Sequence, residues 1–297
     1  MQIIITGGLG FIGNSLFNKL KSNNVIYLID KKKSKTDNYL NLDLSNENSL
    51  KKLNLRNIDT ILHFAGQSSV AKSYENPKKD LEDNILGTIN ILNWAKKNKV
   101  KRFIFASSYN VYSEKKNGSL KETDSCKPKS FYGISKLACE NYIQAFCYEN
   151  KINWNILRLF NVYGPNQEYT SYHGLVNIFL KNAIKYNFIN IKGSIKRFRD
   201  FIYIDDLVNI IKKLIKSKKN INKIYNIGSG KKTKLDKLIK ILEKKINKKI
   251  KFKVLSGTKG DFFGCFANIS KLKKELSYTP KYELDYGLNQ ILNNEKK

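Results

Sequence analysis

Short runs of aliphatic and β-branched residues recur through the first half of the chain, separated by stretches that carry apolar residues at helical spacing. The runs predict strands at residues 2–6, 25–29, 60–64, 102–106 and 155–160. Before the fourth strand, Ile85, Ile89 and Leu92 share one face of a predicted helix. This alternation is typical of βαβ units, whose right-handed crossovers build a doubly wound parallel sheet of the Rossmann type.

The pattern changes after the Tyr-Gly-Pro segment at residues 163–165, where Gly, Pro and aromatic residues interrupt it and long Lys/Asn-rich segments follow. This change predicts a second, smaller α/β lobe at the C-terminal end. We assign the Rossmann domain to residues 1–165, with 199–228 returning to it, and the smaller lobe to 166–297.

The segment 201–216 predicts a short strand followed by an amphipathic helix. Asp205 and Asp206 stand where the helix would begin, so they are predicted to cap it. Thr233 is predicted to cap the next helix, over residues 234–247, for the same reason.

The 297 residues include 55 Lys and Arg against 25 Asp and Glu, which gives a net charge of +30. A strongly basic chain can bind nucleic acid or an anionic membrane surface. Only five of the basic residues are arginine, however, and nucleic-acid sites favour arginine for forked contacts. We attribute the charge to a general drift toward Lys, Asn and Ile, and expect neither nucleic acid nor a membrane as a partner.

The four cysteines show no Cys-x-x-Cys spacing, and His63 and His173 are the only histidines. A zinc site of the usual kind therefore has few ligands, and we predict no metal. Scattered free thiols suit a reducing compartment. The chain begins without a charged leader and contains no apolar run of the roughly 18 residues that a spanning helix needs. We expect a protein of the cytoplasm.

The segment ITGGLGFIG at residues 5–13 joins the first predicted strand to a helix. Its glycines fit two dinucleotide-binding patterns: G-x-G-x-x-G beginning at Gly8, and T-G-x-x-G-x-x-G beginning at Thr6. Either pattern lets the backbone approach a pyrophosphate at a helix N-terminus. Asp30 ends the second strand, where a carboxylate would accept hydrogen bonds from the adenosine ribose and repel a 2′-phosphate. We therefore predict NAD rather than NADP.

Tyr132 and Lys136 are four residues apart and would lie on one face of a helix. A free tyrosine titrates at about pH 10, too high for a general base at neutral pH. An adjacent ammonium and an oxidised nicotinamide would favour the phenolate. Ser108 ends a predicted strand, where its hydroxyl could bond a substrate oxygen. We predict these three residues as catalytic, although each alone is equally compatible with a surface or turn position.

With these motifs, the chain resembles the extended short-chain dehydrogenases/reductases of the NAD-dependent epimerase/dehydratase family, and is most similar to the UDP-glucose 4-epimerases. The resemblance runs nearly end to end. Besides the glycine motif and Asp30, it is carried by Asp43-Leu44, His63-Phe64-Ala65-Gly66, Asn84 with Gly87-Thr88, Ser107-Ser108 with Val111-Tyr112, Tyr132 with Lys136, Arg158 to Pro165, Arg199-Asp200-Phe201 with Asp205-Asp206, and Gly260-Asp261.

The resemblance implies which residues hold the cofactor and the substrate. The cofactor residues would be Gly7, Gly10, Phe11, Ile12, Gly13, Asp30, Asp43, Leu44, Phe64, Ala65, Gly66, Ser68, Asn84, Lys136 and Phe160. The residues around a nucleotide sugar would be Ser108, Tyr132, Asn161, Arg199, Asp261 and Cys265. The smaller lobe would bind this substrate. In this family the pattern that begins at Thr6 governs, and Gly8 is a coincidental match.

The resemblance also implies the reaction. Tyr132 would take the proton of a sugar hydroxyl while hydride passes from C4 to NAD. Tyr109 and Asn110 follow Ser108 where the dehydratases of the family carry an acidic residue, so dehydration is disfavoured. We predict a 4-epimerase of UDP-hexoses or UDP-N-acetylhexosamines with tightly bound NAD. A 4-ketoreductase or dehydratase of the same family, a non-catalytic nucleotide-sugar-binding relative and a basic nucleic-acid binder are the alternatives.

Two positions depart from the epimerase pattern. Thr258 stands where many relatives have arginine, which leaves the choice of nucleotide open. Cys265 stands where narrow-specificity epimerases have tyrosine, so room beside C2 of the sugar is one hypothesis and a small buried hydrophobe is the other. Relatives commonly dimerise through helices that correspond to residues 85–98 and 133–149, so we expect a homodimer. Cell-surface polysaccharide synthesis is the usual setting of the family.

Overall fold

The runs of aliphatic residues form strands where the sequence predicts them. The computed structural model describes residues 1–115, 118–169 and 174–295. Its strands are β1 Gln2–Thr6, β2 Val25–Asp30, β3 Tyr39–Asn41, β4 Thr60–His63, β5 Arg102–Ser108, β6 Ser119–Leu120, β7 Asn153–Leu159, β8 Asn161–Tyr163, β9 Phe188–Lys192, β10 Phe198–Arg199, β11 Phe201–Tyr203, β12 Lys223–Ile227, β13 Thr233–Lys234, β14 Lys251–Leu255 and β15 Phe266–Ala267. All five predicted strands are present.

The large sheet has seven strands in the order β12-β7-β5-β4-β1-β2-β3. Every neighbouring pair runs parallel. The chain winds outward from β1 to β3 and then crosses back to β4, so the order reverses between β1 and β4. Thr6 pairs with His63 across this reversal, so β1 and β4 end at the same level. The predicted doubly wound parallel sheet is confirmed.

Helices connect the strands and pack against the sheet. They are α1 Phe11–Leu20, α2 Glu47–Leu50, α3 Val70–Glu75, α4 Pro77–Leu81, α5 Gly87–Lys97, α6 Phe131–Glu149, α7 Leu175–Tyr186, α8 Ile204–Lys216, α9 Leu235–Ile246, α10 Ser270–Leu276 and α11 Leu284–Glu295. A π-helical segment, Glu82–Leu86, precedes α5. Ile3 and Ile5 belong to one apolar cluster and Ile4 to another, because successive side chains of a strand point to opposite faces.

Four two-stranded sheets complete the C-terminal part of the molecule. β10 pairs with β13 in antiparallel orientation, and β14 pairs with β9 in parallel orientation. β11 pairs with β8, and β15 with β6, so backbone hydrogen bonds join the second half of the chain to the first. These small mixed sheets are the predicted smaller C-terminal α/β part.

Two predicted helix caps are wrong. Asp205 and Asp206 lie in the first turn of α8 and make no side-chain cap. Asp206 is buried and accepts a hydrogen bond from Tyr278 Oη at 2.7 Å, so its carboxylate holds the C-terminal segment instead. Thr233 does not cap α9 either, because Lys234 occupies the N-cap position without a side-chain hydrogen bond.

A buried ion pair joins α6 to the sheet. The side chains of Arg158 in β7 and Glu140 in α6 are 4% and 1% exposed, and Arg158 Nη2 lies 2.7 Å from Glu140 Oε2. Ser107 Oγ in β5 donates to Glu140 Oε1 at 2.5 Å. Burial alone would lower the pKa of Arg158, but its hydrogen bonds and charge contact with Glu140 outweigh burial and raise it. Each charged group therefore compensates the other for the water contacts that both lose on burial.

Two kinds of feature are absent from the described part of the chain. Within residues 1–115, 118–169 and 174–295, no helix is both long and apolar enough to cross a membrane. Within the same ranges, no three side chains of His, Cys, Asp or Glu are grouped so that they could hold a metal ion. His173, one of the two histidines of the sequence, lies outside the described residues.

Replacing Arg158 with Met should lower the free energy of unfolding by about 3–5 kcal/mol, because the Glu140 carboxylate would be left buried without its counter-ion. The control is Lys115→Met, which removes the half-exposed partner of Asp124 and should cost less than about 1 kcal/mol. Urea unfolding of both variants and the wild type measures the two costs. Equal small losses would contradict the importance of the buried pair.

Candidate active site

A cleft of about 790 Å³ opens at the carboxyl ends of β1, β2, β4, β5 and β7. Open α/β sheets bind ligands at this edge, next to the reversal of strand order. The cleft brings together nearly all of the predicted site residues. They are Gly7, Gly10, Phe11, Ile12, Gly13, Asp30, Asp43, Leu44, Phe64, Ala65, Gly66, Ser68, Ser108, Tyr132, Lys136, Phe160, Asn161, Arg199 and Asp261.

The glycine turn packs so closely against neighbouring backbone that a side chain on Gly7 or Gly13 would collide with it. Gly7 has a φ of 67°, and a Cβ there would lie 2.7 Å from Ala65 N. A Cβ on Gly13 would overlap the carbonyl oxygen of Gly7. Gly10 is the N-cap of α1 and brings no capping side chain, so the first-turn N–H groups face an open cradle. Gly8 packs against Leu28 and does not line the cleft, which favours the pattern that begins at Thr6.

Asp30 lies at the end of β2, at the wall of the cleft. Its Oδ2 accepts a hydrogen bond from Leu9 N at 3.1 Å, which fixes the carboxylate beside the glycine turn. The lysines that follow it are paired with other acids: Lys31 Nζ lies 3.0 Å from Asp83, and Lys32 Nζ lies 3.2 Å from Glu168. The negative charge of Asp30 is therefore not neutralised by these two neighbours.

Ser108, Tyr132 and Lys136 meet at one wall of the cleft. Ser108 is the last residue of β5, and the other two lie in the first turns of α6. Ser130 caps this helix, with its Oγ accepting from Gly133 N at 3.1 Å. Lys136 Nζ is 6.0 Å from the centroid of the Tyr132 ring, as expected for residues on one helix face.

Burial controls the titration of this group. It raises the pKa of Tyr132 to about 12, although a hydrogen bond with Ser108 acts in the opposite direction. Burial also lowers the pKa of Lys136, whose Nζ donates to Ala106 O at 3.1 Å rather than to the phenol. The phenol therefore keeps its proton at neutral pH in this structure. A further positive charge in the cleft would lower the pKa of Tyr132.

The far end of the cleft holds two guanidinium groups and one carboxylate. Arg199 Nη2 lies 2.9 Å from Asp261 Oδ2, and Arg197 Nη2 lies 2.5 Å from the same oxygen. Arg199 thus pairs with Asp261 and not with its neighbour Asp200. Asn161 joins this end, with Nδ2 donating to Asp200 O at 3.2 Å. Because two guanidiniums share one carboxylate, the group carries a net positive charge that suits an anionic ligand.

Cys265 does not line the cleft. It is 1% exposed and lies in an apolar cluster with Tyr109, Phe160 and Phe262. Burial raises the pKa of its thiol, so it remains uncharged. In this structure Cys265 packs as a small hydrophobe behind the cleft wall, which is the second of the two hypotheses for this position.

Asn84 also lies behind the wall, in the π-helical segment. Its Nδ2 donates to Asp80 Oδ1 at 3.1 Å and to Ser135 Oγ at 3.0 Å, so it ties this segment to α6. Its Oδ1 is buried, has no hydrogen-bond partner among the described residues, and faces the position that a side chain on Gly66 would occupy. Gly66 lines the cleft, so this oxygen is a hydrogen-bond acceptor without a partner among the described residues, and it lies close to the cleft wall at Gly66.

A row of hydrogen bonds beneath the cleft runs through His63, whose role the sequence pattern does not indicate. His63 Nδ1 lies 2.7 Å from Thr6 Oγ1, and Nε2 lies 3.0 Å from Thr88 Oγ1. Thr88 Oγ1 in turn donates to Asn84 O at 2.6 Å, which leaves its oxygen free to accept from Nε2. Burial, with a smaller contribution from Lys136, lowers the pKa of His63 to about 3. The ring is therefore neutral and links β1, β4 and α5.

Arg197 and Tyr109 are among the cleft residues that the sequence does not predict as site residues. Arg197 stands two positions before Arg199, and this spacing places both side chains on one face of an extended segment. Tyr109 directly follows Ser108 and lines the cleft. The spacing of the two arginines could have identified Arg197 from the sequence. The position of the Tyr109 ring could not be identified in this way, because it depends on the 3₁₀ turn that Tyr109 begins.

Comparison with known proteins gives consistent matches. A family model described as the NAD dependent epimerase/dehydratase family matches residues 3–228. A protein of Methanocaldococcus jannaschii provisionally named UDP-glucose 4-epimerase is 31% identical, over 98% of this chain and 97% of its own. The dTDP-4-dehydro-6-deoxyglucose reductase of Escherichia coli is 29% identical, over 98% and 96%. The solved structure of Thermotoga maritima UDP-glucose 4-epimerase with UDP-glucose has a TM-score of 0.92 at 30% identity, covering 100% of this chain and 99% of its own.

The low pKa of His63 predicts a loss of stability in mild acid. The unfolded chain protonates this ring below its ordinary pKa of about 6.5, whereas the folded protein does not until about pH 3. The free energy of unfolding should therefore fall by up to about 2 kcal/mol from pH 6.5 to pH 5. Urea midpoints measured across this range test the expectation. His63→Gln should show a shallower fall, and an unchanged slope in that variant would contradict it.

Proposed function

Because the chain belongs to the NAD-dependent epimerase/dehydratase family, we propose that it is a nucleotide-sugar 4-epimerase that acts on a UDP-sugar with tightly bound NAD. One observation carries the proposal: a single cleft joins the glycine turn, the group of Ser108, Tyr132 and Lys136, and the positively charged end at Arg199. These three parts would bind the cofactor, the reacting sugar carbon and the diphosphate of the substrate, in that order.

The chain's own residues fit the cofactor. The cradle at Gly7 and Gly13 would accept the pyrophosphate, and the Asp30 carboxylate would accept hydrogen bonds from the adenosine ribose. The unused Oδ1 of Asn84 supplies a further acceptor near Gly66. When bound, NAD supplies a reversible hydride acceptor and, in its oxidised form, a positive charge.

Tyr132 is the proposed general base and acid. It would remove the proton of the sugar hydroxyl at C4 and return it after the sugar has turned. Ser108 bonds the phenol and would orient the same sugar oxygen. Lys136 would add positive charge near the phenolate. Arg199 and Arg197 would hold the diphosphate as the fixed point about which the sugar turns, which an epimerase needs in order to reach both faces.

A ketoreductase is the second candidate, and similarity to the E. coli reductase is the observation in its favour. The two candidates differ in how they use the cofactor. A reductase would consume one reduced nicotinamide for each sugar and release it, whereas an epimerase returns the hydride to the same sugar. The purified protein, incubated with UDP-glucose and no added cofactor, should form the C4 epimer. Absence of product, together with stoichiometric oxidation of NADPH by a UDP-4-keto sugar, would support the reductase.

We also propose a homodimer, because apolar side chains remain exposed on neighbouring helical segments. Phe131, Ile134 and Tyr142 of α6, and Leu81 and Leu86 near the π-helical segment, are exposed. Contact between α6 and the π-helical segment places these residues in one region of the surface. Light scattering should report twice the mass of the 34.3 kDa chain.

Tyr132→Phe should reduce the rate of epimerisation by at least about 100-fold, because the variant cannot exchange the proton. The control is Tyr148→Phe, which removes a hydroxyl from the same helix at a side chain that is 86% exposed. Its rate should equal that of the wild type. The assay follows UDP-glucose and its C4 epimer by chromatography. Full activity in Tyr132→Phe would exclude this residue as the base.

A further inference from the structure

Tyr109 is an aromatic residue of the cleft wall that neighbours the catalytic group in sequence. It directly follows Ser108 in the chain and lines the cleft. The charges at Arg199 and Asp261 both act on its phenol, as does the thiol of Cys265. The ring therefore stands within reach of both the catalytic group and the diphosphate end.

The ring of Tyr109 is held firmly in place. It stacks on Phe160 with centroids 5.3 Å apart and planes inclined by 26°, and Phe262 meets its edge at 5.6 Å. The backbone is also fixed, because Tyr109 begins a 3₁₀ turn in which Ser108 Oγ accepts from Asn110 N at 3.2 Å. With aromatic rings against it and a tight turn beneath it, Tyr109 presents a rigid wall to the cleft.

A nucleotide sugar would place its sugar ring beside this wall. The diphosphate is attached to the anomeric carbon, and C4 is the reacting carbon, so the sugar ring spans the distance between Arg199 and Tyr132. Tyr109 lines the same cleft as these two groups. During epimerisation the sugar would present both of its faces in this space, so a fixed aromatic ring here would restrict the substituents that can pass.

We propose that Tyr109 determines the sugar specificity of this site, by excluding substituents larger than a hydroxyl group. The proposal rests on the epimerase function argued above. It predicts a preference for UDP-hexoses over UDP-N-acetylhexosamines. The hypothesis that the small side chain of Cys265 leaves room for the substrate does not apply, because that side chain is buried and does not line the cleft.

The test compares the ratio of kcat/KM for UDP-N-acetylglucosamine to that for UDP-glucose in four proteins. Tyr109→Ala should raise this ratio at least about tenfold over the wild type, because removal of the ring opens space for the acetamido group. Tyr109→Phe keeps the ring, and Cys265→Ala keeps Tyr109, so both should stay within about threefold of the wild-type ratio. Each ratio is measured on one preparation, so any loss of folded protein in Tyr109→Ala cancels.

Three results would overturn the proposal: an unchanged ratio in Tyr109→Ala, a wild-type preference for the N-acetylated sugar, or a shift produced by Cys265→Ala alone. Calorimetric dissociation constants for the same two nucleotides form the second measurement. If the wild type binds both compounds but epimerises neither, the proposed function fails. The change in the binding ratio between wild type and Tyr109→Ala still decides the role of Tyr109 in that case.

Discussion

The buried ion pair between Arg158 and Glu140 is the contact on which the geometry of the site depends. Glu140 lies one helical turn beyond Lys136, and it is held by Arg158 from β7 and by Ser107 from β5. β5 ends at Ser108, the next residue. A single carboxylate therefore sets the distance between the strand that carries the serine and the helix that carries the tyrosine and lysine. Removal of either charge would expose the other to an apolar interior, so the arrangement tolerates little movement.

The two ends of the cleft differ in electrostatic character. At the catalytic end, burial raises the pKa of Tyr132 and lowers the pKa of Lys136, and His63 beneath them is neutral. At the other end, Arg197 and Arg199 both pair with one carboxylate, that of Asp261. In the proposed function, an anionic ligand would be anchored at one end, while proton transfer would take place in a region that a bound cation can tune.

Local patterns were enough to predict the sheet, the glycine turn with Asp30, and the group of Ser108, Tyr132 and Lys136, whereas the other cleft residues were assigned through the resemblance to a family. The five predicted strands are short runs rich in aliphatic and β-branched residues, and the glycine turn follows from steric needs that any dinucleotide-binding βα unit shares. The same local patterns are wrong about Asp206 and Thr233, which they predict as helix caps. Asp206 is satisfied by Tyr278, more than 70 residues away along the chain, and a local pattern contains no such partner. Cys265 was placed at the substrate by analogy with related sequences, but its packing depends on aromatic rings from three separate segments.

The row of hydrogen bonds through His63 has a consequence for the alignment of the strands. Residues 3, 4 and 5 of β1 are all isoleucine, so a slip by one position would place the same side chain on each face and would cost the two apolar clusters little. Thr6 distinguishes the observed alignment from a slipped one, because its hydroxyl meets His63 in β4. This polar contact therefore specifies the register of a strand whose three central residues are identical. It thereby fixes the position along the strand direction at which β1 ends and the glycine turn begins.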